Sequence, residues 1–177
     1  MNICVFCGSS AGNHPVYTEH AQTLGKLMAE AGHALVYGGA KIGLMGIVAD
    51  SVLANHGKVF GILPSFLAEK EVAHPNLTQL EIVGTMHERK MRMANLAHVF
   101  VALPGGWGTI DELAEILTWK QLGLIKQPVF LLNTLGFFDN LTNQFQKMTD
   151  EGFLRQSNLS FLSIVGHPSE IISKITQ

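Results

Sequence analysis

Residues 99–115 read VFVALPGGWGTIDELAE. An apolar run stops at Pro104, gives way to Gly105, Gly106 and Gly108, and restarts with Asp111, Glu112 and Glu115. That order describes a buried strand, a turn that is almost bare backbone, and a helix predicted over 109–123. The same alternation runs along the chain. Apolar runs at Ile3–Phe6, Ala34–Tyr37, Val59–Leu63, Val99–Leu103, Val129–Leu132 and Phe161–Val165 are separated by amphipathic stretches. Those stretches cover about 15–31, ended by Gly32; 43–56, ended by Gly57; 85–97; 109–123; 136–151; and 168–176. Near-continuous apolar strands between helices predict a doubly wound, mainly parallel α/β sheet covered on both faces, a Rossmann-like domain spanning residues 1–177. Segment 64–84 is the least regular and is expected to loop over one sheet edge.

Composition narrows the function. Hydrophobic residues make up 47% of 177 positions, enough for a full-sized core. A net charge of −2 supplies no basic field, which disfavours a general nucleic-acid binder. The opening MNICVFCGSS lacks a basic region followed by an apolar one, and no apolar run is long enough to span a bilayer. A cytoplasmic protein with no membrane partner is expected.

Cys4 and Cys7 form a C-x-x-C, but they lie in a predicted strand rather than at a helix start. Alternation turns them to opposite faces, so both read as core residues. The eight histidines show no H-x-x-x-H or comparable pair, and no metal site is expected. No Gly-Lys-Ser/Thr phosphate loop is present.

In a doubly wound sheet, ligands bind beyond the carboxyl ends of the strands. Three glycine-rich turns fall there: CGSSAGN with Ser9 and Ser10, YGGAKIGLMG with Gly39, and PGGWGT. Gly105, Gly106 and Gly108 expose amides ahead of a helix, a setting suited to phosphate; close strand–helix packing would also explain one or two of them. Thr109, three residues before Glu112, can form a capping box, the structural alternative for that glutamate. Three carboxylates in two turns are more than a cap needs, so Glu112 and Glu115 are counted with the site. A carboxylate beside phosphate needs a cation nearby. In TMHERKMRMANLA, Met86, Met93 and Ala97 mark an apolar stripe that Arg89 and Lys90 share, and Arg92 can extend the basic patch. Ser9 and Ser10 can bind phosphate or sugar, or cap the helix after Pro15. Trp107 and Met45 can line a base pocket, or simply pack.

PGGWGTIDE and MHERK together, with VFCGSS, YGGAKIGLMG and LTWKQLGLIKQPVFLLN, resemble the LOG ("Lonely Guy") family of cytokinin riboside 5′-monophosphate phosphoribohydrolases nearly end to end. The resemblance implies hydrolysis of the N-glycosidic bond of a nucleoside 5′-monophosphate, giving adenine or an N6-substituted adenine and ribose 5-phosphate. It implies Arg89 and Glu112 as the functional pair. Glu71, Lys90, Gly106 to Glu112 and Thr118 are the implied nucleotide contacts. It also implies a homodimer or larger homo-oligomer, with neither metal nor cofactor. Glu112 would stabilise positive charge on the ribose or activate water. Arg89 would hold Glu112 and the phosphate in register and keep Glu112 ionised. Trp107 and Asp111 depart from the family's usual Tyr and Glu. Relatives have been labelled lysine decarboxylases, but no lysine here sits in a recognisable pyridoxal-phosphate setting. The competing class is a non-catalytic nucleotide-binding or carrier protein on the same scaffold. The preferred base stays open.

Overall fold

The computed structural model describes residues 1–68 and 72–176. Strands β1 (Asn2–Phe6), β2 (Ala34–Tyr37), β3 (Val59–Pro64), β4 (Gln79–Val83), β5 (Val99–Ala102), β6 (Val129–Leu132) and β7 (Leu162–Val165) form one sheet in the order β4-β3-β2-β1-β5-β6-β7. Every neighbouring pair in it is parallel. The helices are α1 (Pro15–Glu30), α2 (Gly43–Ala54), α3 (Ser65–Ala68), α4 (Met86–Leu96), α5 (Trp107–Gln121), α6 (Asp139–Asp150) and α7 (Pro168–Ile175).

Strand alternation divides the core in two. Ile3, Val5, Leu35, Tyr37, Val101 and Leu132 pack towards α1, α2 and α7. Cys4, Phe6, Val36, Phe100 and Leu131 pack towards α4 and α5 on the other face. Cys4 and Cys7 are free, buried thiols in different cores, as the alternation predicts. Burial, chiefly, raises the pKa of both, which keeps them protonated.

Four local expectations differ from the structure. Segment 64–84 holds α3 and an edge strand, β4, rather than loop alone. Its sequence QLEIV is only partly apolar because an edge strand needs no continuous burial. Helix α2 stops with His56, not Gly57, in the left-handed conformation (φ 61°). Gly32 does take that role after α1, with φ 70°. The helix expected over 136–151 begins only at Asp139, after a short 3₁₀ turn over Thr134–Gly136. Finally, α5 begins at Trp107, two residues before the expected start.

The sheet runs outward in both directions from β1, with β2 on one side and β5 on the other. The loops leaving β1 and β5 therefore part over this point and form a crevice. They are also fastened to each other: the Gly8 amide donates to the Pro104 carbonyl at 3.0 Å, and Leu103 to Phe6 at 2.9 Å.

Phe100 is fully buried at the centre of the sheet and stacks on Phe6 with ring centroids 6.0 Å apart. Phe100→Ala is expected to cost about 3–5 kcal/mol in denaturant unfolding, with the sheet retained at lower temperature.

Candidate active site

A cleft of about 390 Å³ opens at this switch point, within the usual range for small-molecule sites. Its walls come from the β1 loop (Cys7, Gly8, Ser9), the β2–α2 turn (Gly38, Ala40, Ile42), α4 (Met86, Arg89) and the start of α5 (Gly106 to Thr109, Asp111, Glu112).

Helix α5 is preceded by Gly106 at its N-cap, with no side-chain cap. The first-turn amides therefore keep unspent donors at the positive end of the helix. A Cβ on Gly106 or Gly108 would meet nothing within 4 Å, so packing does not demand glycine at either position. What their bareness does is leave the amides approachable from the cleft. Gly105 is different. A Cβ there would lie 2.1 Å from Thr109 Oγ1 and 2.8 Å from the Gly8 amide, so that glycine serves the junction between the two loops.

The capping box, the structural alternative for Glu112, does not form. Thr109 lies inside the first turn of α5, and its buried hydroxyl has no hydrogen-bond partner. Glu112 turns instead towards Arg89, with Oε1 3.5 Å from Nη2. The T-x-x-E pattern does form a capping box one helix earlier, where Thr85 and Glu88 close the start of α4. Identical spacing in the two segments left the choice to tertiary context.

Arg89 faces inward as the stripe on α4 predicts, and it is 9% exposed. Its Nε is buried without a partner, so the guanidinium retains donor capacity. The seat for this group is Gly38, which the sequence did not single out. A Cβ at Gly38 would stand 1.9 Å from Arg89 Nη2. Only a residue without a side chain leaves room for the guanidinium over the end of β2.

Glu112 is 8% exposed, and burial is the largest influence on its carboxyl. Burial raises its pKa, the Arg89 charge lowers it, Asp111 raises it again, and the net value is about 7. Arg89 therefore does not hold Glu112 wholly ionised; near neutrality both forms are populated. Perturbed carboxyls in clefts are frequent marks of functional sites.

The remaining candidates fall into distinct places. Lys90 lies beside the cleft, held by Asp111 Oδ2 at 3.1 Å and Glu115 Oε1 at 3.2 Å. Burial pulls its pKa down, but the bonds to the two carboxylates reverse this and leave it raised. Glu115 thus meets the lysine rather than the cleft. Arg92 does not extend the patch, because it turns away to Glu81 on β4 at 2.9 Å. Ser9 lines the cleft, whereas Ser10 accepts from the Gly12 amide within its own turn at 3.4 Å. Neither serine caps α1, whose first turn is closed by the His14 side chain. Gly39 packs against β3 with φ 77°. Thr118 donates to the Ala114 carbonyl and lines a separate groove between α5 and α6. Glu71 lies outside the described residues. Met45 and Trp107 line the cleft, and Trp107 is 91% exposed.

Residues 45–175 match the family model described as "Possible lysine decarboxylase". The chain is 41% identical over 175 residues to the cytokinin riboside 5′-monophosphate phosphoribohydrolase LOG of Oryza sativa subsp. japonica, covering 99% of this chain and 72% of that one. A second phosphoribohydrolase of the same kind, from Arabidopsis thaliana, is 39% identical over 175 residues, covering 99% and 81%. The chain belongs to the LOG family. Among solved structures, the molybdenum cofactor carrier protein of Chlamydomonas reinhardtii shares the fold with a TM-score of 0.76 at 22% identity, over 99% of this chain and 96% of that one. The molybdenum cofactor binding protein of Rippkaea orientalis does so with 0.72 at 22% identity, over 99% and 96%.

Lys90 does not suit the part of a decarboxylase's Schiff-base lysine. A Schiff-base lysine must present a neutral, nucleophilic amine. Lys90, the lysine beside Glu112, is fixed as an ammonium between two carboxylates.

Gly38→Ala is expected to evict the guanidinium while leaving the sheet intact. Loss of the positive neighbour must raise the Glu112 pKa above about 7. A carboxyl-carbon NMR titration reads this directly, and an unchanged midpoint would contradict the assigned seat.

Proposed function

We propose that this chain hydrolyses the N-glycosidic bond of adenosine 5′-monophosphates, plain or N6-modified, releasing free base and ribose 5-phosphate. The observation that carries this reading is a buried Arg89–Glu112 pair whose carboxylate stands within two turns of an uncapped helix N-terminus. Amides and guanidinium suit the phosphate, and the carboxylate suits the bond that breaks.

The bond between the anomeric carbon and the base nitrogen breaks heterolytically, and positive charge gathers on the ribose. The oxygen of water bonds to that carbon and keeps one hydrogen as the new anomeric hydroxyl, while the other proton goes to the departing base. Glu112, itself only 8% exposed, in its ionised form stabilises the cationic sugar from a buried position, where a charge acts strongly. Fixing the phosphate at the α5 amides places the anomeric carbon against this carboxylate and removes the entropy of that alignment from the barrier. Asp111 and Glu115 are partly neutralised by Lys90, which limits their repulsion of the incoming phosphate. Ile42, Met45, Leu67, Val72, Met86 and Trp107 provide an apolar wall for a base.

The relatives named above carry this activity in their names. The cytoplasm is the compartment this reading assigns. A homodimer or larger homo-oligomer is the favoured assembly, since Thr118 lines a groove separate from the cleft and meets a nucleotide most simply in another copy. Among the described residues no helix is long and apolar enough to cross a membrane. A carrier of the same fold would need the phosphate cradle but not a buried carboxyl with a pKa of about 7.

Incubation with AMP and N6-modified AMP, followed by chromatography of the free base, tests the proposal. Glu112→Gln is expected to lower kcat by about a hundredfold or more while ribose 5-phosphate still binds. For the native chain, activity falls as pH drops through about 7, because protonation removes the charge that opposes the cationic sugar. Binding of AMP without base release by the native chain would favour the carrier.

A further inference from the structure

His74 is an almost fully buried imidazole outside the catalytic pair, and it joins three pieces of the cleft wall. It is 5% exposed, and both ring nitrogens are used. Nδ1 accepts from the Asn76 amide at 3.2 Å, which makes Nε2 the protonated nitrogen. Nε2 then donates to Asp50 Oδ1 on α2 at 2.9 Å.

The backbone around His74 forms a short strap. The His74 amide donates to the Gly39 carbonyl and the Lys41 amide donates to the Val72 carbonyl, each at 2.9 Å. These bonds flank an antiparallel bridge between Ala40 and Ala73. The sheet itself is parallel throughout, so this pairing lies outside its hydrogen-bond ladder, and among the described residues it is an isolated bridge with no neighbouring strand to reinforce it. Yet both sides of the pairing reach the cleft: Val72 from the strap, Ala40 and Gly38 from the facing turn. Gly38 is the floor on which the Arg89 guanidinium rests. Asp50 also ties the strap to α2, whose first turn carries Met45 into the same wall.

We propose that His74 is a positioning residue, a latch to Asp50 that holds the 72–74 strap against the 38–41 turn and so fixes the wall facing the nucleotide. It touches neither the substrate nor Glu112, and its effect falls on binding rather than on the bond-breaking step. The kinetic form of the claim rests on the hydrolase reading above; the latch itself does not. Asp50 allows the latch to be opened from its solvent side, because its side chain is 72% exposed and its removal disturbs no core.

The test compares the native chain with His74→Ala, His74→Gln and Asp50→Ala. The two alanine variants are expected to raise KM for AMP by about fivefold or more, with kcat within about twofold. Exchange of the Lys41 and His74 amides is expected to quicken by about tenfold or more in both. His74→Gln keeps a donor for Asp50 and recovers most of the loss. Unchanged exchange and KM in Asp50→Ala would overturn the proposal, as would a fall in kcat at constant KM. Should the native chain release no base, amide exchange and the affinity for ribose 5-phosphate still decide the latch, while the hydrolase reading fails separately.

Discussion

A guanidinium withdrawn from water must find a counter-charge, and Arg89 finds Glu112 across 3.5 Å. The geometry is not that of a saturated bidentate pair. Arg89 Nε and the Thr109 hydroxyl are both buried and both lack partners. Burying polar groups in that state is costly unless something else completes them. The cleft they line is where a phosphoryl group would do so. Burial and pairing also oppose each other at Glu112, and burial outweighs pairing, so its carboxyl titrates at about 7 rather than in the ordinary carboxylate range.

The glycines around the cleft divide their tasks, and the division explains why the site stands at this point of the sheet. Gly105 lets the loops after β1 and β5 touch, and Gly38 makes room for the guanidinium. Gly43, with φ 57°, would carry a Cβ 2.2 Å from the Ser9 carbonyl carbon, so it brings the β1 loop against the start of α2. Gly106 and Gly108 pack against nothing and simply keep a helix end bare. Three are matters of fit and two are matters of access. A single glycine-rich motif therefore serves both packing and binding.

Much of this was legible in the residues. Alternation in the strands separates Leu35 from Val36 and Cys4 from Cys7 into different cores, because a parallel sheet covered on both faces leaves no polar side. Arg89 announced itself by standing on an apolar stripe, where a cation needs a reason. The edge strand β4 did not, since an edge position tolerates the mixed sequence QLEIV. Thr109 and Glu112 satisfy the capping pattern as well as Thr85 and Glu88 do; only the pull of Arg89 across the cleft and the earlier helix start separate the two cases. Which glycine of Gly38–Gly39 would seat a side chain arriving from 51 residues further along could not be read from local sequence, nor could the link between His74 and Asp50. Those features depend on how distant segments meet.

The account is tested most directly by a crystal structure of this chain with ribose 5-phosphate. It requires the phosphoryl oxygens against the amides of residues 106–109 and within reach of Arg89, with the anomeric carbon turned towards Glu112. A sugar phosphate bound elsewhere, or bound there in the reverse sense with its anomeric carbon away from Glu112, would contradict it.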